Sequence, residues 1–400
     1  MSIYSFTEED IRNIFGNKDL NQIYFNIIID GMNMYITNFY KMYGILNNSE
    51  NEDTGGLYTT LRNLLNIIQE FEPYINKTLF NIVYETGKSQ NHLNIDEEYK
   101  GNRDIQKQLE EKYDTIEEIQ KERFNFRNQI EALKQITMNI PVLNHIQISK
   151  TEGDFAIRFL ITELETILSQ YNIDKSNIVH IIFSNDSDFL QLLEFSNIII
   201  YNFRLKRYIY SKNINTHFSR YSKPMDVLLS KIICGDATDN IKGIKGIGAK
   251  RFAKINEIIS DLLVPTFEIS ELFNILEMLK TRKEIAKITN YPTYSDILKQ
   301  NYKLVNLINY ENVVSMITLP TLEYLKNNII SYIDSRINTD KKSNSLLPIV
   351  MILGRFDILS MLDPNKLNLF STNYELYLDP IPSNLSRKAN PLPISESTTQ

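Results

Sequence analysis

Three acidic pairs stand out by their spacing. Glu152 and Asp154 lie in TEGDF, Asp186 and Asp188 in SNDSDF, and Asp236 and Asp239 in GDATDN, while Asp30 and Glu85 close the apolar runs IYFNIIID and TLFNIVYE. Each has an ordinary structural role open to it. Glu152 and Asp154 suit the start of a helix, Asp186 and Asp188 can cap one beginning near Phe189, and Asp236 can end a helix where Asp239 begins a turn. Gathered at one rim, however, eight carboxylates repel one another until several protonate, unless cations neutralise them. Oxygen-only ligands without Cys or His beside them suit Mg²⁺ or Mn²⁺ rather than Zn²⁺. His92, His145, His180 and His217 are scattered and form no pair at helical spacing. Two hard ions roughly 3.5–4 Å apart activate a water and stabilise the leaving oxygen of a phosphodiester, so no side-chain nucleophile is required. Carboxylates alone would equally permit a phosphomonoesterase.

The acids need elements to hold them. IYFNIIID (23–30), TLFNIVYE (78–85), NIVHIIFSND (177–186) and NIIIYNF (197–203) are short apolar runs of the buried-strand kind, and the first three end in a carboxylate. Helical patterns at 59–71 and 155–171 lie between them. Strands alternating with helices predict a parallel α/β sheet, whose functional groups collect beyond the carboxyl ends of the strands. The charged stretch from about Lys88 to Met138 reads as one or two exposed helices, too long for an ordinary connection and beside the acidic rim. From about Ser211 the pattern is helical. TDKKSNS (339–345) reads as a linker, LPIVMILGRFDILSML as a last helix, and the chain from about Ser371 as a fraying tail.

Charge narrows the partners. Lys and Arg number 43 against 49 Asp and Glu, a formal net charge of −6, so any nucleic-acid contact must be local. GIKGIGAKR supplies such a place: Gly243, Gly246 and Gly248 allow tight turns and close amide approach to phosphate, and Lys242, Lys245, Lys250 and Arg251 add positive charge before a helix starting near Ala249. The structural alternative is a glycine-rich turn between packed helices. The single cysteine, Cys234, excludes an internal disulfide framework and suits a reducing compartment. No signal-peptide core or membrane-length apolar stretch is evident, so the expected location is the cytoplasm, that of the host if the protein is viral.

Taken in order, IIIDGMN, ETGKS with EYKGNRD, EGDFA, SNDSDF with QLL, and GDATDNIKGIKGIGAKR resemble the motifs of the structure-specific 5′-nucleases, the flap endonucleases and 5′-3′ exonucleases, especially those of bacteriophages. The resemblance runs over most of residues 23–330. It implies a Rossmann-like (PIN-like) nuclease core at 22–210 with a helical arch at about 88–140, and a helix-three-turn-helix DNA-binding region at 211–338. An extension at 1–21 and a linker, helix and tail at 339–400 lie outside it, and the absence of a following polymerase region suggests a stand-alone, monomeric nuclease.

By that resemblance Asp30, Glu85, Glu152, Asp154 and Asp186 serve a first metal site, and Asp188, Asp236 and Asp239 a second. Lys100 and Arg103 reach the scissile phosphate, Lys88 contacts substrate backbone, and the glycine hairpin grips duplex and offers a place for K⁺. Tyr99, Tyr113, Phe124 and Phe126 would line the arch around single-stranded DNA. Mg²⁺ is the implied cofactor with Mn²⁺ as substitute. The implied substrates are flapped, nicked or branched DNA and RNA–DNA hybrids, in replication or repair. Four positions depart from the family pattern: Glu85 stands where Asp is usual, Phe155 where phage members carry a further Asp, and Thr37 and His92 near positions often held by Arg. The competing readings are a noncatalytic junction-binding scaffold of the same fold, an RNase H-type nuclease that removes primers, and a small-molecule α/β phosphohydrolase.

Overall fold

Isoleucine-rich runs pair side by side because both of their faces can be covered. In a computed structural model describing residues 6–16, 18–100, 115–337, 346–370 and 375–376, they form a six-stranded sheet. Strands β1 (Tyr24–Asp30), β2 (Thr78–Thr86), β3 (Leu143–Ser149), β4 (Ile178–Phe183) and β5 (Ile198–Asn202) are parallel, and β6 (Arg207–Ile209) is an antiparallel edge. The spatial order is β3-β2-β1-β4-β5-β6. The chain therefore builds outward from β1 first in one direction and then in the other. Such a switch point opens a crevice beyond the carboxyl ends of β1 and β4. Four strands follow the apolar runs. β3 and β6 were not among the expected strands: β3 shows only partial alternation, with Gln147 and Ser149 exposed between buried isoleucines, and β6 is three residues long.

Each face of the sheet has its own apolar layer. Ile28, Val83, Ile146, Ile182 and Ile200 pack towards the helix Gly153–Ser169, and this core continues into the helices after residue 225, so the helical region shares a core with the sheet. Ile27, Ile29, Phe80, Ile82, Ile181 and Phe183 face the helices Gly31–Met42, Gly55–Glu70 and Ile116–Met138. A buried polar ladder crosses the first layer. Asn144 donates to Asn81 (2.9 Å), Asn81 to Asn26 (2.8 Å), and Asn26 bonds His180 (2.9 Å), whose other nitrogen meets Glu165 (3.0 Å). Because every rung is paired, the ladder penalises any strand register that would break it.

The helix Ile116–Met138 is less exposed than its charge suggested. Ile130, Leu133 and Ile136 are buried, and Gln129, fully buried, accepts from the Leu57 amide (2.7 Å) and donates to the Asp53 carbonyl (2.7 Å). Phe126 packs on Tyr35 and Phe39, with ring centroids 5.0 and 5.1 Å apart. Tyr99 is buried against His92 (4.7 Å). These two rings are packing groups rather than a lining for single-stranded DNA; Phe124 is exposed, and Tyr113 lies outside the described residues. Residues 346–370 lie on the second layer. Ile349, Leu353, Phe356 and Ile358 enter its core, and the Asp357 carboxylate accepts from the amide and hydroxyl of Ser49 (2.8 and 2.6 Å).

Candidate active site and basic hairpin

Asp30 ends β1 and caps the helix that follows. One oxygen accepts from the Asn33 amide (3.0 Å) and the other from Ser184 Oγ (2.9 Å), just beyond β4. Asp186 caps the next short helix by accepting from the Asp188 amide (2.9 Å). The ordinary capping roles are thus real, and they aim the carboxylates at the crevice. Glu85 reaches from β2 to the Gly153 amide (2.6 Å). A Cβ at position 153 would lie 3.0 Å from its oxygen, so glycine admits the longer glutamate here. Glu152 sits at the N-cap of helix 153–169 yet makes no side-chain cap bond; its carboxylate is paired with Lys100 Nζ.

Asp188, Asp236 and Asp239 offer one ligand oxygen each, all within 4.8 Å of one another. Lys231, buried on the helix Met225–Cys234, donates to Asp188 and to Asp236 (2.5 Å). The eight acids come from five segments of chain: among the described residues Asp188, Asp236 and Asp239 bring ligand oxygens together, Asp30, Glu85, Glu152, Asp154 and Asp186 are near enough to repel one another, and each set holds one lysine ammonium.

Burial and mutual repulsion dominate the electrostatics. Burial pushes Asp30 up to about 6, with Asp186 adding to it, and Glu85 to about 7, with Glu152 and Asp30 adding. Asp154 is driven well above the usual carboxylate range by burial and then by Glu152 and Asp188. Asp188 rises to about 6 through burial, Lys231 opposing and Asp186 adding. Asp236 goes the other way: burial is outweighed by Lys231 and by the Thr238 amide (2.8 Å). Its partner Lys231 is held protonated by the same two aspartates despite its burial. A clustered, all-oxygen, partly protonated donor set fits hard divalent cations, which would release those protons on binding.

The chain returns from this cluster in a tight hairpin, Gly235–Asp236 pairing with Ile241–Lys242. Gly235 has φ +73°, and a Cβ there would lie 2.3 Å from the Ile241 carbonyl oxygen; one on Gly243 would lie 2.0 Å from Cys234 backbone. Gly243 is therefore required by the hairpin itself, whereas Gly246 and Gly248 are exposed, Gly248 heading the helix Ala249–Ile259. Ile241, Ile244 and Ile247 point inward, leaving Lys242, Lys245, Lys250 and Arg251 outside. Beside them Arg251, Lys254, Lys283 and Lys287, with Ile255 and one acid, Glu284, line a concavity of about 200 Å³. Lys88 is exposed just beyond β2, Lys100 stands at the acidic cluster, and Arg103 lies outside the described residues.

Residues 26–219 match the family of the 5′-3′ exonuclease N-terminal, resolvase-like domain. Residues 26–219 thus resemble that exonuclease domain. A 5′-3′ exonuclease of Buchnera aphidicola is 27% identical over 274 residues, covering 66% of this chain and 83% of its own. One from Mycoplasmopsis pulmonis is 27% identical over 224 residues, 56% of this chain and 63% of its own. The fold matches a bacteriophage T5 flap endonuclease solved as a pseudo-enzyme-product complex with DNA and metal ions, with TM-score 0.57, 20% identity, and coverage of 77% of this chain and 98% of that one. The T5 5′-exonuclease with bound zinc gives TM-score 0.58 at 20% identity, with 77% and 99% covered. These matches support a phosphodiester-hydrolysing nuclease.

Sequence reasoning passed over Lys231 and Ser184 at the acidic site and Lys254, Lys283 and Lys287 at the concavity. Lys231 had a signal: it is the lone cation inside the apolar run VLLSKIIC, five residues before Asp236. Ser184 lacked one, because only the pairing of β1 with β4 brings it to Asp30.

Proposed function

We propose that the chain cuts phosphodiesters at 5′ ends and 5′ flaps of nicked or branched DNA, using two Mg²⁺ ions for which Mn²⁺ substitutes, in replication or repair. The observation that carries this reading is the grouping of Asp188, Asp236 and Asp239 beside further buried acids at the sheet's rim, with Lys100 paired to Glu152 among them. Asp30, Glu85, Glu152, Asp154 and Asp186 would hold one ion, and Asp188, Asp236 and Asp239 the other. Bound there, the pair supplies a water nucleophile and neutralises charge on the leaving oxygen. Lys100 exchanges Glu152 for the scissile phosphate and offsets charge that develops in the transition state. Arg103 is assigned the same task by its place in EYKGNRD. Lys231 balances Asp188 and Asp236 when no ion is present.

Outside the cleft, the exposed cations of the hairpin and the adjoining concavity bind duplex backbone without reading bases, with K⁺ a candidate ligand of the hairpin. Because the hairpin begins at the second carboxylate group, the distance from gripped duplex to cut is set by the chain itself. A panel of nicked duplex, 5′ flap, blocked 5′ flap and RNA–DNA hybrid tests this. Mg²⁺-dependent cutting of the flap near its junction is expected; binding without cutting would favour a noncatalytic scaffold.

A further inference from the structure

Lys100 occupies a backbone conformation that needs support. Its φ of +52° is left-handed, costly for a residue with a Cβ, and such a geometry persists only where its surroundings over-determine it. The support comes from the loop that carries Asp236 and Asp239. The Lys100 amide donates to the Asp239 carbonyl (2.8 Å), and Asn240 Nδ2 donates to the Glu98 carbonyl (2.7 Å). A third contact, Lys242 Nζ to Glu98 (2.6 Å), is exposed at both ends and contributes little. Asn240 is itself left-handed, φ +59°, a conformation that asparagine tolerates better than most residues. Only an amide nitrogen on its side chain can serve the carbonyl it faces. Residues 98–100 and 239–240 are thus fastened at two points, one of them a side chain.

We propose that Asn240 is a positioning residue for Lys100: it ties the turn carrying the lysine to the loop carrying Asp236 and Asp239, so that ammonium and carboxylates keep a fixed spacing. This rests on the role given to Lys100 above. Loss of the tie leaves every charge in place but lets the lysine wander. Misplacement of this kind costs rate without costing affinity.

A double-mutant cycle tests it, with single-turnover cleavage of a 5′ flap in Mg²⁺ as one readout and flap affinity in chelator as the other. Asn240→Gly keeps the left-handed backbone and deletes the donor; Asn240→Asp keeps size and backbone preference but presents an acceptor to the carbonyl. Each is expected to slow cleavage about tenfold with affinity within about twofold, and Lys100→Ala about a hundredfold. In the Lys100→Ala background neither Asn240 change should slow cleavage further, because Asn240 acts only through the lysine. Losses that multiply in the double variants, or no loss in either single Asn240 variant, would overturn the proposal. An unchanged rate in Lys100→Ala would instead remove the role of Lys100, and this inference with it.

Discussion

At the scale of single residues, the acids differ in protonation because each is buried differently among the others. Asp30, Glu85 and Asp188 sit near 6, 7 and 6 in the fold, against ordinary values of 3.8 for Asp and 4.5 for Glu. The folded protein therefore binds these protons more tightly than the unfolded chain. Their stabilising contribution is full below about pH 4 and is lost as the pH rises toward about 7. Divalent cations compete for the same oxygens, so the rise in melting temperature on adding Mg²⁺ should be larger at about pH 8 than at about pH 5.5. Calorimetry at the two pH values checks this, and equal rises would contradict it. Lys231→Met leaves Asp188 and Asp236 without their buried counter-ion, a loss of about 3–5 kcal/mol in metal-free protein. Denaturant titration with and without Mn²⁺ should find most of that loss recovered by the ion. Lys231 was visible as a lone lysine in an apolar run, but its pairing with Asp188 was not, because only the fold brings the two together. Six of the acids were easier, since each lies at the end of a strand or the start of a helix, whereas Asp236 and Asp239 lie in the hairpin after the helix Met225–Cys234.

At the scale of elements, the hairpin leaves no room for a side chain where its strands cross. Gly243→Ala sets a Cβ 2.0 Å from the Cys234 backbone, which no rotamer change relieves. It should cost about 3 kcal/mol and weaken duplex binding, read from denaturant midpoints and anisotropy; a neutral substitution would contradict this geometry. The sequence reading took Gly243 for a phosphate-facing glycine, and the distinction came only from which backbone lies opposite. The same limit applied to helix 116–138. Its charged face was legible, but the burial of Gln129 depends on residues 53 and 57, far away in sequence. Removing residues 346–400 uncovers the second apolar layer where Ile349, Leu353 and Phe356 seat. Faster amide exchange in helix 116–138, which packs against that segment, is the expected consequence.

At the scale of the whole molecule, the proposed function requires a chain with net charge −6 to meet DNA through a local basic face. The hairpin and the concavity of Arg251, Lys254, Lys283 and Lys287 provide it. Replacing Lys283 and Lys287 together by Ala should reduce the slope of log affinity against log salt by about 2, with little change in single-turnover rate at saturation. The parallel sheet and the acidic rim were legible because three apolar runs end in carboxylates. The shared core between sheet and helical region was not, since period and composition do not say which faces meet. In the proposed function the grouped carboxylates hold the divalent metal that cuts DNA. Cleavage of a 5′-flap substrate by the full chain and by Asp186→Ala, with Mg²⁺ and with chelator, tests it most directly. The prediction is cutting near the flap junction by the unsubstituted chain in Mg²⁺ alone, with Asp186→Ala slower by about a thousandfold or more at near-unchanged affinity. Cleavage that survives chelator, or an Asp186→Ala variant that cuts as fast as the unsubstituted chain, would contradict it.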